Sequence, residues 1–407
     1  MPKPQLGLGG AVAIGLASML GAGVFVVFAS AYKIAANLIF VSIALAAFAA
    51  LLNSAAIYQL AKQVERPGGV YAYSRVYLNN SWSFLSGFAF VFGKIASIGA
   101  IAIVFQRYVF PQVAFWPSFA SIAILTLVNV LGITRTALVA TILSLTTVGF
   151  FATLSIMGIA IPGNLSNEAF AIVPENPVTS VLLGAGVVFF AFAGYARVAT
   201  LGDEVRDSKR NIPRAIVVSL GFVMILYVVL AWVLVDGLGK QLQFTETPVA
   251  ELFQTLSGVS WLTPVVAAAA SLGSMLALLA GVSRTAASMA EDGELPKVFK
   301  LRNRFNAPWV AEVAVATGAI VLASIGEILW VIGFSSFSVL FYYSVGHLSA
   351  IAQPQQQRLT PVWLNYLGIV LCLGLAISFG IETFAISCGI LGLAFASRGL
   401  WLKRSHR

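Results

Sequence analysis

The chain alternates between long apolar runs and short polar segments. A transmembrane helix needs about 20 apolar residues to cross the hydrocarbon core of a bilayer. By that measure the pattern predicts twelve membrane-spanning helices, with the least distinct boundary between the last two, where only Gly380, Ile381 and Glu382 intervene. The predicted spans cover residues 8–31, 37–61, 82–107, 117–133, 137–160, 178–200, 213–237, 259–288, 309–325, 328–350, 361–379 and 381–400.

Composition and charge support a membrane protein. Hydrophobic residues make up 59% of the chain and charged residues 10%, whereas a soluble domain carries about 25% charged residues. The net charge of +9 need not indicate a nucleic-acid partner. Most lysines and arginines fall in the termini and in alternate loops, which the positive-inside rule assigns to the cytoplasm. We expect a multi-pass plasma-membrane protein in contact with the lipid bilayer, with both termini cytoplasmic.

The sequence contains few residues that could support catalysis. Cys372 and Cys388 lie inside apolar runs, and His347 and His406 are far apart, so we predict neither a disulfide nor a metal site. A membrane enzyme would need clustered histidines, paired carboxylates or an activated nucleophile. A channel would more naturally contain rings of charge or a filter motif. A transporter without a cofactor is favoured, and an ion-only carrier stays open.

Two predicted spans contain interrupting glycines. The first contains SMLGAGVF (residues 18–25) and the sixth contains FFAFAGYA (residues 189–196). Glycine costs up to about 1 kcal/mol in a helix interior, and unwound backbone at membrane depth is tolerated only where it is buried or lines a cavity. Interruptions at matching places in two halves indicate a transporter's central site. Close helix packing at small residues is the alternative for either motif alone.

The motifs resemble those of the amino acid–polyamine–organocation (APC) permeases. Residues 189–216 are similar to that family's sixth-helix signature and the loop after it, and residues 18–25 resemble its first-helix glycine motif. ERPGGVYAYSR (residues 65–75) resembles the loop between the second and third helices, and residues 281–299 resemble the end of the eighth helix. Together these motifs extend over most of the chain.

The resemblance implies an all-α polytopic fold of the leucine-transporter type. Its inverted repeats of five helices each would cover residues 8–160 and 178–350, with two additional helices in 361–400. It also implies a secondary active transporter of amino acids that works by alternating access. Uptake, exchange and export share this scaffold, and the oligomeric state is expected to be a monomer or a homodimer.

The resemblance further implies how an amino acid would bind. N–H groups freed at the first break would face the α-carboxylate, and carbonyls at the second break would accept from the α-ammonium. Phe192 would act as an aromatic gate, although an ordinary packing role is the alternative. The predicted substrate-binding residues are Ser18, Gly21, Ala22, Gly23, Phe189, Phe192, Ala193 and Gly194.

Lys94 is the charge most deeply placed in a predicted span. It lies about 12 residues into the third span, roughly 18 Å at 1.5 Å per residue, near the middle of a core about 30 Å thick. We found no carboxylate well inside any predicted span. Some relatives couple transport through a fifth-helix lysine, but that position aligns with Thr147 here. We hypothesise that Lys94 is the substitute, a titratable amine for proton coupling. The alternative is a structural lysine bonded to freed carbonyls.

Five other predicted coupling or gating residues complete the set. Sodium coupling stays open because Ser271 and Ser274 could supply oxygens beside the first span. Arg197 lies near the inner end of the sixth span, where we expect a structural or gating salt bridge. Tyr71 and Tyr73 belong to a predicted inner gate. Since the site lacks an evident carboxylate, we expect a neutral amino acid as the substrate.

Overall fold

The protein is described from a computed structural model that covers residues 6–64, 68–131, 136–161, 173–199 and 205–405. Within these ranges the chain is helical, and its single β-bridge joins Leu6 to Val205. The helices are α1 Leu8–Met19, α2 Val27–Ala35, α3 Ile39–Ala61, α4 Val70–Tyr77, α5 Asn80–Val109, α6 Trp116–Val130, α7 Thr136–Ala160, α8 Pro177–Phe192, α9 Ala196–Ala199, α10 Ser208–Leu238, α11 Pro248–Ser257, α12 Leu262–Glu291, α13 Trp309–Ser324, α14 Ile328–Ala352, α15 Val362–Ile377 and α16 Ile381–Ser405.

The helices match the predicted membrane spans. Eight helical stretches are long and apolar enough to cross a membrane, and four further apolar helices are shorter. The stretch Val27–Ala61 joins the end of the first predicted span to the second, and each of the other eleven overlaps one predicted span. The prediction of an all-α polytopic membrane protein is confirmed. The division into repeats at 8–160 and 178–350 stays a prediction.

Large apolar side chains cover much of the outer surface. Val178, Ile225, Val370 and Leu393 are each at least 68% exposed. A soluble monomer rarely exposes extensive apolar area, whereas lipid tails are as apolar as these side chains. The exposed residues therefore form the surface that meets the bilayer.

Two short helices lie in segments that the hydropathy pattern placed between spans. The helix α4 begins after Gly68 and Gly69 of the ERPGGVYAYSR motif. Their positive φ angles of 115° and 58° form a sharp turn before the helix. The helix α11 begins with Pro248 at its first position and ends before Gly258, which has a left-handed conformation. These are standard start and stop signals for helices, but a window of about 20 residues does not detect such short elements.

The helix α5 is the central packing element. It contacts α12, α13, α14 and α16, and the side chain of Asn79 caps it by accepting from the N–H groups of Ser81 and Trp82. Glycines permit the close approach. A Cβ added at Gly93 would lie 2.7 Å from the Cβ of Ser338 on α14. This packing fixes the position of Lys94, the next residue along α5.

We predict that Gly93→Ala destabilises the protein although alanine is the better helix former. The new methyl group would overlap α14, and overpacking typically costs about 1–3 kcal/mol. Gly149→Ala is the matched control, because a Cβ there has no atom within 4 Å. Thermal unfolding in detergent should show a lower melting temperature for Gly93→Ala and an unchanged or higher one for the control. Equal melting temperatures would contradict close α5–α14 packing.

Candidate functional site

The first predicted span is broken at its glycine motif. The helix α1 ends at Met19, Gly21 is extended with φ −71° and ψ −163°, and a 3₁₀ turn over Ala22–Phe25 leads into α2. The end of an α-helix leaves carbonyl groups without intrahelical partners, and the next helical turn begins with free N–H groups. The break therefore presents both kinds of backbone group inside the protein.

The sixth predicted span is broken in a similar way. The helix α8 ends at Phe192, a 3₁₀ turn covers Ala193–Tyr195, and the short helix α9 follows. The whole turn is buried.

The two breaks meet at Gly194. A Cβ added to this glycine would lie 2.2 Å from the carbonyl oxygen of Ser18 and 2.6 Å from the amide nitrogen of Met19. Backbone atoms cannot retreat as a flexible side chain can, so any larger residue would push α1 and the turn apart. Gly23 makes the reciprocal approach, since its added Cβ would lie 3.5 Å from the Cα of Ala191.

Tyrosine hydroxyls satisfy carbonyls that the breaks release. Tyr227 on α10 donates to the carbonyl of Met19 at 2.6 Å, and its oxygen lies 3.3 Å from the carbonyl of Ala191. Tyr108 on α5 donates to the carbonyl of Phe25 at 2.8 Å. A buried unsatisfied polar group costs about 1–3 kcal/mol. Tyr227 thus ties one carbonyl from each broken span to a continuous helix.

Lys94 contacts the second break. Its Nζ donates to the carbonyl oxygen of Ala193 at 3.1 Å, and the residue is 4% exposed. No carboxylate in the described part of the chain forms an ion pair with it. This contact with a freed carbonyl fits the structural alternative, and it also places a titratable amine where the two breaks meet, so the coupling role of Lys94 stays a prediction.

One of the two predicted serines of α12, Ser274, lies beside the first break. Ser274 donates from its Oγ to the carbonyl of Ala17 at 3.2 Å, and a Cβ added at Gly21 would lie within 2.3 Å of that Oγ. The buried Oγ of Ser271 has no hydrogen-bond partner among the described residues. An oxygen without a partner could join an ion or a water, so sodium coupling stays a prediction.

A small cavity lies between the two breaks. Its volume is about 30 Å³, room for about two waters, so the site must widen before it admits an amino acid. The predicted residues that line it are Ser18, Gly21, Ala22, Gly23, Lys94 and Gly194. The lining residues that were not predicted are Met19, Ser97, Ile101, Phe190, Ala191 and Leu278.

A family model described as amino acid permease matches residues 6–391, which is nearly the whole chain. The chain belongs to the amino acid permease family. This confirms the APC resemblance, and the protein is a transporter and not an enzyme.

Curated relatives agree on transport but differ in substrate. An uncharacterized transporter of Mycobacterium tuberculosis is 39% identical over 98% of this chain and 91% of its own length. A branched-chain amino acid permease of Bacillus subtilis is 24% identical over 93% of this chain and 86% of its own length. A chloroplastic cationic amino acid transporter of Arabidopsis thaliana is 27% identical over 77% of this chain, and the match covers 57% of that relative.

The phenylalanines of the permease's sixth span point in different directions. Phe190 lines the cavity, whereas the ring of Phe192 packs against Tyr227 at 4.9 Å between centroids and that of Phe189 packs against Tyr343 at 6.0 Å. Consecutive helical side chains are about 100° apart, so neighbouring phenylalanines cannot all face one cavity. A gating role for Phe192 stays a prediction, and Phe190 is the aromatic residue at the cavity wall.

Tyr227 is a residue that the sequence analysis did not select. A tyrosine in the middle of an apolar span is itself a signal, because a buried phenol usually finds a hydrogen-bond partner. The sequence contains this signal, but it does not show which carbonyl accepts.

The predicted inner gate residue Tyr71 lies in a charged cluster. Its hydroxyl donates to Asp292 at 2.8 Å, and Arg75 lies 3.2 Å from the same carboxylate oxygen. The Glu294 carboxylate is 3.8 Å from the Arg75 guanidinium. It also forms a bidentate salt bridge with the guanidinium of Arg398 on α16, with N–O distances of 2.5 and 3.2 Å. The cluster joins α4, the end of α12 and α16 at one end of the bundle.

The gating roles of Tyr71, Tyr73 and Arg197 stay predictions. Burial and the hydrogen bond to Asp292 raise the pKa of Tyr71, so its phenol stays protonated and continues to donate. Tyr73 is buried in the main apolar core, and its gating role stays a prediction. The side chain of Arg197 lies outside the described residues.

We predict that Tyr227→Phe lowers stability while preserving ring packing against Phe28 and Phe192. The variant leaves the Met19 carbonyl buried without its donor, which should cost about 1–3 kcal/mol. Tyr366→Phe on α15 is the control, since Tyr366 is 58% exposed. Thermal unfolding of both variants in detergent checks this. An unchanged melting temperature for Tyr227→Phe would mean that the hydroxyl does not hold the breaks.

Proposed function

We propose that this permease is a secondary active transporter that moves neutral amino acids by alternating access and couples their movement to protons through Lys94. The observation that carries the proposal is the contact between Lys94 and the Ala193 carbonyl at the point where the two broken spans meet. Polar backbone groups from both breaks and one titratable side chain thus border one cavity.

Backbone groups can bind both ends of an amino acid zwitterion. The N–H groups around Gly21, Ala22 and Gly23 would receive the α-carboxylate at the start of a half-helix, where the helix dipole favours negative charge. The carbonyls of the second break would accept from the α-ammonium. Neither contact needs a charged side chain.

Lys94 would couple to the substrate by competing for one acceptor. Its Nζ already donates to the Ala193 carbonyl, which is one of the carbonyls assigned to the substrate's ammonium. Two cations at one carbonyl repel each other, and the repulsion is strong where water is excluded. Substrate binding would therefore favour either the neutral amine or a lysine turned away from Ala193.

The chemistry of the cavity supports a neutral side chain. Its apolar wall includes Met19, Ile101, Phe190 and Leu278, and no described carboxylate lines it. A cationic substrate would face the Lys94 ammonium without a counter-ion, and burying an unpaired charge is costly. The apolar wall suits the branched-chain amino acids named for the Bacillus subtilis permease better than the cationic amino acids named for the Arabidopsis thaliana transporter.

We further propose a plasma-membrane location with both termini in the cytoplasm. Bacterial relatives and the distribution of lysine and arginine between loops support it. In this orientation the Tyr71 cluster lies at the cytoplasmic end. Amino acid exchange or export is the alternative direction on the same scaffold.

The test is a thermal-shift screen of the purified protein against the free amino acids at two pH values. A ligand that binds only the folded state raises the melting temperature. We expect neutral, branched or small amino acids to stabilise the protein and lysine and arginine not to. The stabilisation by the best ligand should depend on pH in the wild type and depend on it less in Lys94→Met, which removes the amine but keeps much of the side-chain length.

Lys240→Met is the matched control, because Lys240 is exposed beyond the end of α10. It should keep the wild-type pH dependence. If no amino acid stabilises the protein at either pH, the substrate class is wrong and an ion-only carrier becomes the next hypothesis. If Lys94→Met keeps the pH dependence, Lys94 is structural.

A further inference from the structure

His347 occupies a polar pocket away from the cavity. It lies on α14, is 1% exposed, and contacts asparagines from two other helices. Its Nδ1 is 3.0 Å from Oδ1 of Asn365 on α15, and its Nε2 is 2.9 Å from Oδ1 of Asn53 on α3. The ring therefore joins three helices through its two nitrogen atoms.

The neighbouring helix is shaped to admit this ring. A Cβ added at Gly368 of α15 would lie 2.2 Å from Nε2 and 2.3 Å from Cε1 of His347. The absent side chain lets the imidazole lie directly against the α15 backbone. The space for His347 is thus part of the α14–α15 interface.

The two amides fit more than one form of the imidazole. A protonated ring donates from both nitrogens, whereas a neutral ring donates from one and accepts at the other. When both amide oxygens face the ring, it can donate from both nitrogens in its protonated form. If an asparagine side-chain amide rotates by 180°, its NH₂ group faces the ring nitrogen in place of the oxygen. This orientation suits the neutral ring, whose unprotonated nitrogen accepts a hydrogen bond.

Asn53 is the amide that can turn at low cost. Its Nδ2 has no hydrogen-bond partner among the described residues, so rotation breaks no bond of that group. Its Oδ1 also accepts from the thiol of Cys372 at 3.1 Å, and sulfur can accept weakly from an NH₂ after the turn. Both orientations therefore leave the pocket with hydrogen bonds.

The other titratable groups around His347 are neutral hydrogen-bonding side chains. Cys372 faces the pocket from α15, and Tyr343 lies one helical turn before His347 on α14. Tyr195 of the second break stacks on Tyr343 at 5.2 Å between ring centroids. No charged side chain in the described part of the chain contacts the ring. The ring is thus surrounded by the two amides and other uncharged groups, close to a broken span.

We infer that His347 is a second proton-binding site of this permease, in which Asn53 accepts from the protonated ring and donates to the neutral ring. Proton binding there changes the hydrogen bonds that link α3, α14 and α15, next to the second break. This site is separate from Lys94 and does not depend on the identity of the substrate.

The composition of the chain allows a direct test by NMR. The protein contains two histidines, His347 and His406, so His406→Ala leaves one imidazole to observe. Protein labelled with ¹⁵N-histidine in lipid nanodiscs is measured across the range of about pH 5 to 8 in which histidine commonly titrates. We expect the Nδ1 and Nε2 signals to move from the imidazolium pattern to that of one neutral tautomer.

A single neutral tautomer with shifts that stay constant across the range would overturn the inference and leave His347 as a structural residue. A permanently protonated ring would overturn it equally. Cys388→Ala in the same background is the control, because Cys388 is exposed on α16 and its replacement keeps the ring, the amides and the Cys372 thiol unchanged. It should titrate as the parent does.

A second measurement connects the site to transport. His347→Gln keeps hydrogen-bonding capacity without a proton equilibrium, and in proteoliposomes it should flatten the pH profile of solute exchange between about pH 5 and 8. A profile that keeps its wild-type shape would mean that protonation of His347 is not part of the cycle. The NMR titration needs neither a substrate nor a properly folded His347→Gln variant, so its result is distinct from failure of the proposed function.

Discussion

The structure depends on how backbone polar groups are satisfied where two helices are broken inside the membrane. Lipid offers no hydrogen bonds, so each freed carbonyl or N–H must find a partner in the protein, in a cavity or in a substrate. Tyr227 and Tyr108 supply hydroxyls, Ser274 supplies another, and Lys94 supplies an ammonium. These donors come from continuous helices, so the regular part of the bundle holds the irregular part in place.

The helix α5 has a central role in this arrangement. It carries Lys94 and Tyr108, which each bond to a different break, and Ser97, whose Oγ lies 2.7 Å from that of Ser335 on α14. Close packing at Gly93 keeps α5 against α14. A movement of either broken span must therefore change hydrogen bonds made by α5. Through these hydrogen bonds, a ligand that moves a broken span would also affect how α5 packs in the bundle.

The charged residues separate into two environments with different consequences. At one end of the bundle, arginines and carboxylates pair in the Arg75–Asp292–Glu294–Arg398 cluster, where partial burial makes each pair more than a solvated surface contact. Inside the bundle, Lys94 and His347 bond to neutral oxygens. A titratable group that faces only neutral partners can change protonation without breaking an ion pair. The interior is therefore the location that we propose for proton chemistry, whereas the cluster is suited to holding a conformation.

The sequence by itself determined the membrane class, the twelve apolar segments, the two glycine breaks and the depth of Lys94, because each follows from hydropathy, spacing or a local motif. Only the tertiary structure decided which groups meet. Gly194 is a glycine because the backbone of Ser18 lies against it, and Phe190 rather than Phe192 lines the cavity because of the rotation of α8. His347 contacts one amide on the following helix, that of Asn365, and one on α3, that of Asn53, which is far away in the chain. Hydropathy records whether a segment lies in the membrane, whereas the partner of a buried polar group depends on how the helices are rotated and packed.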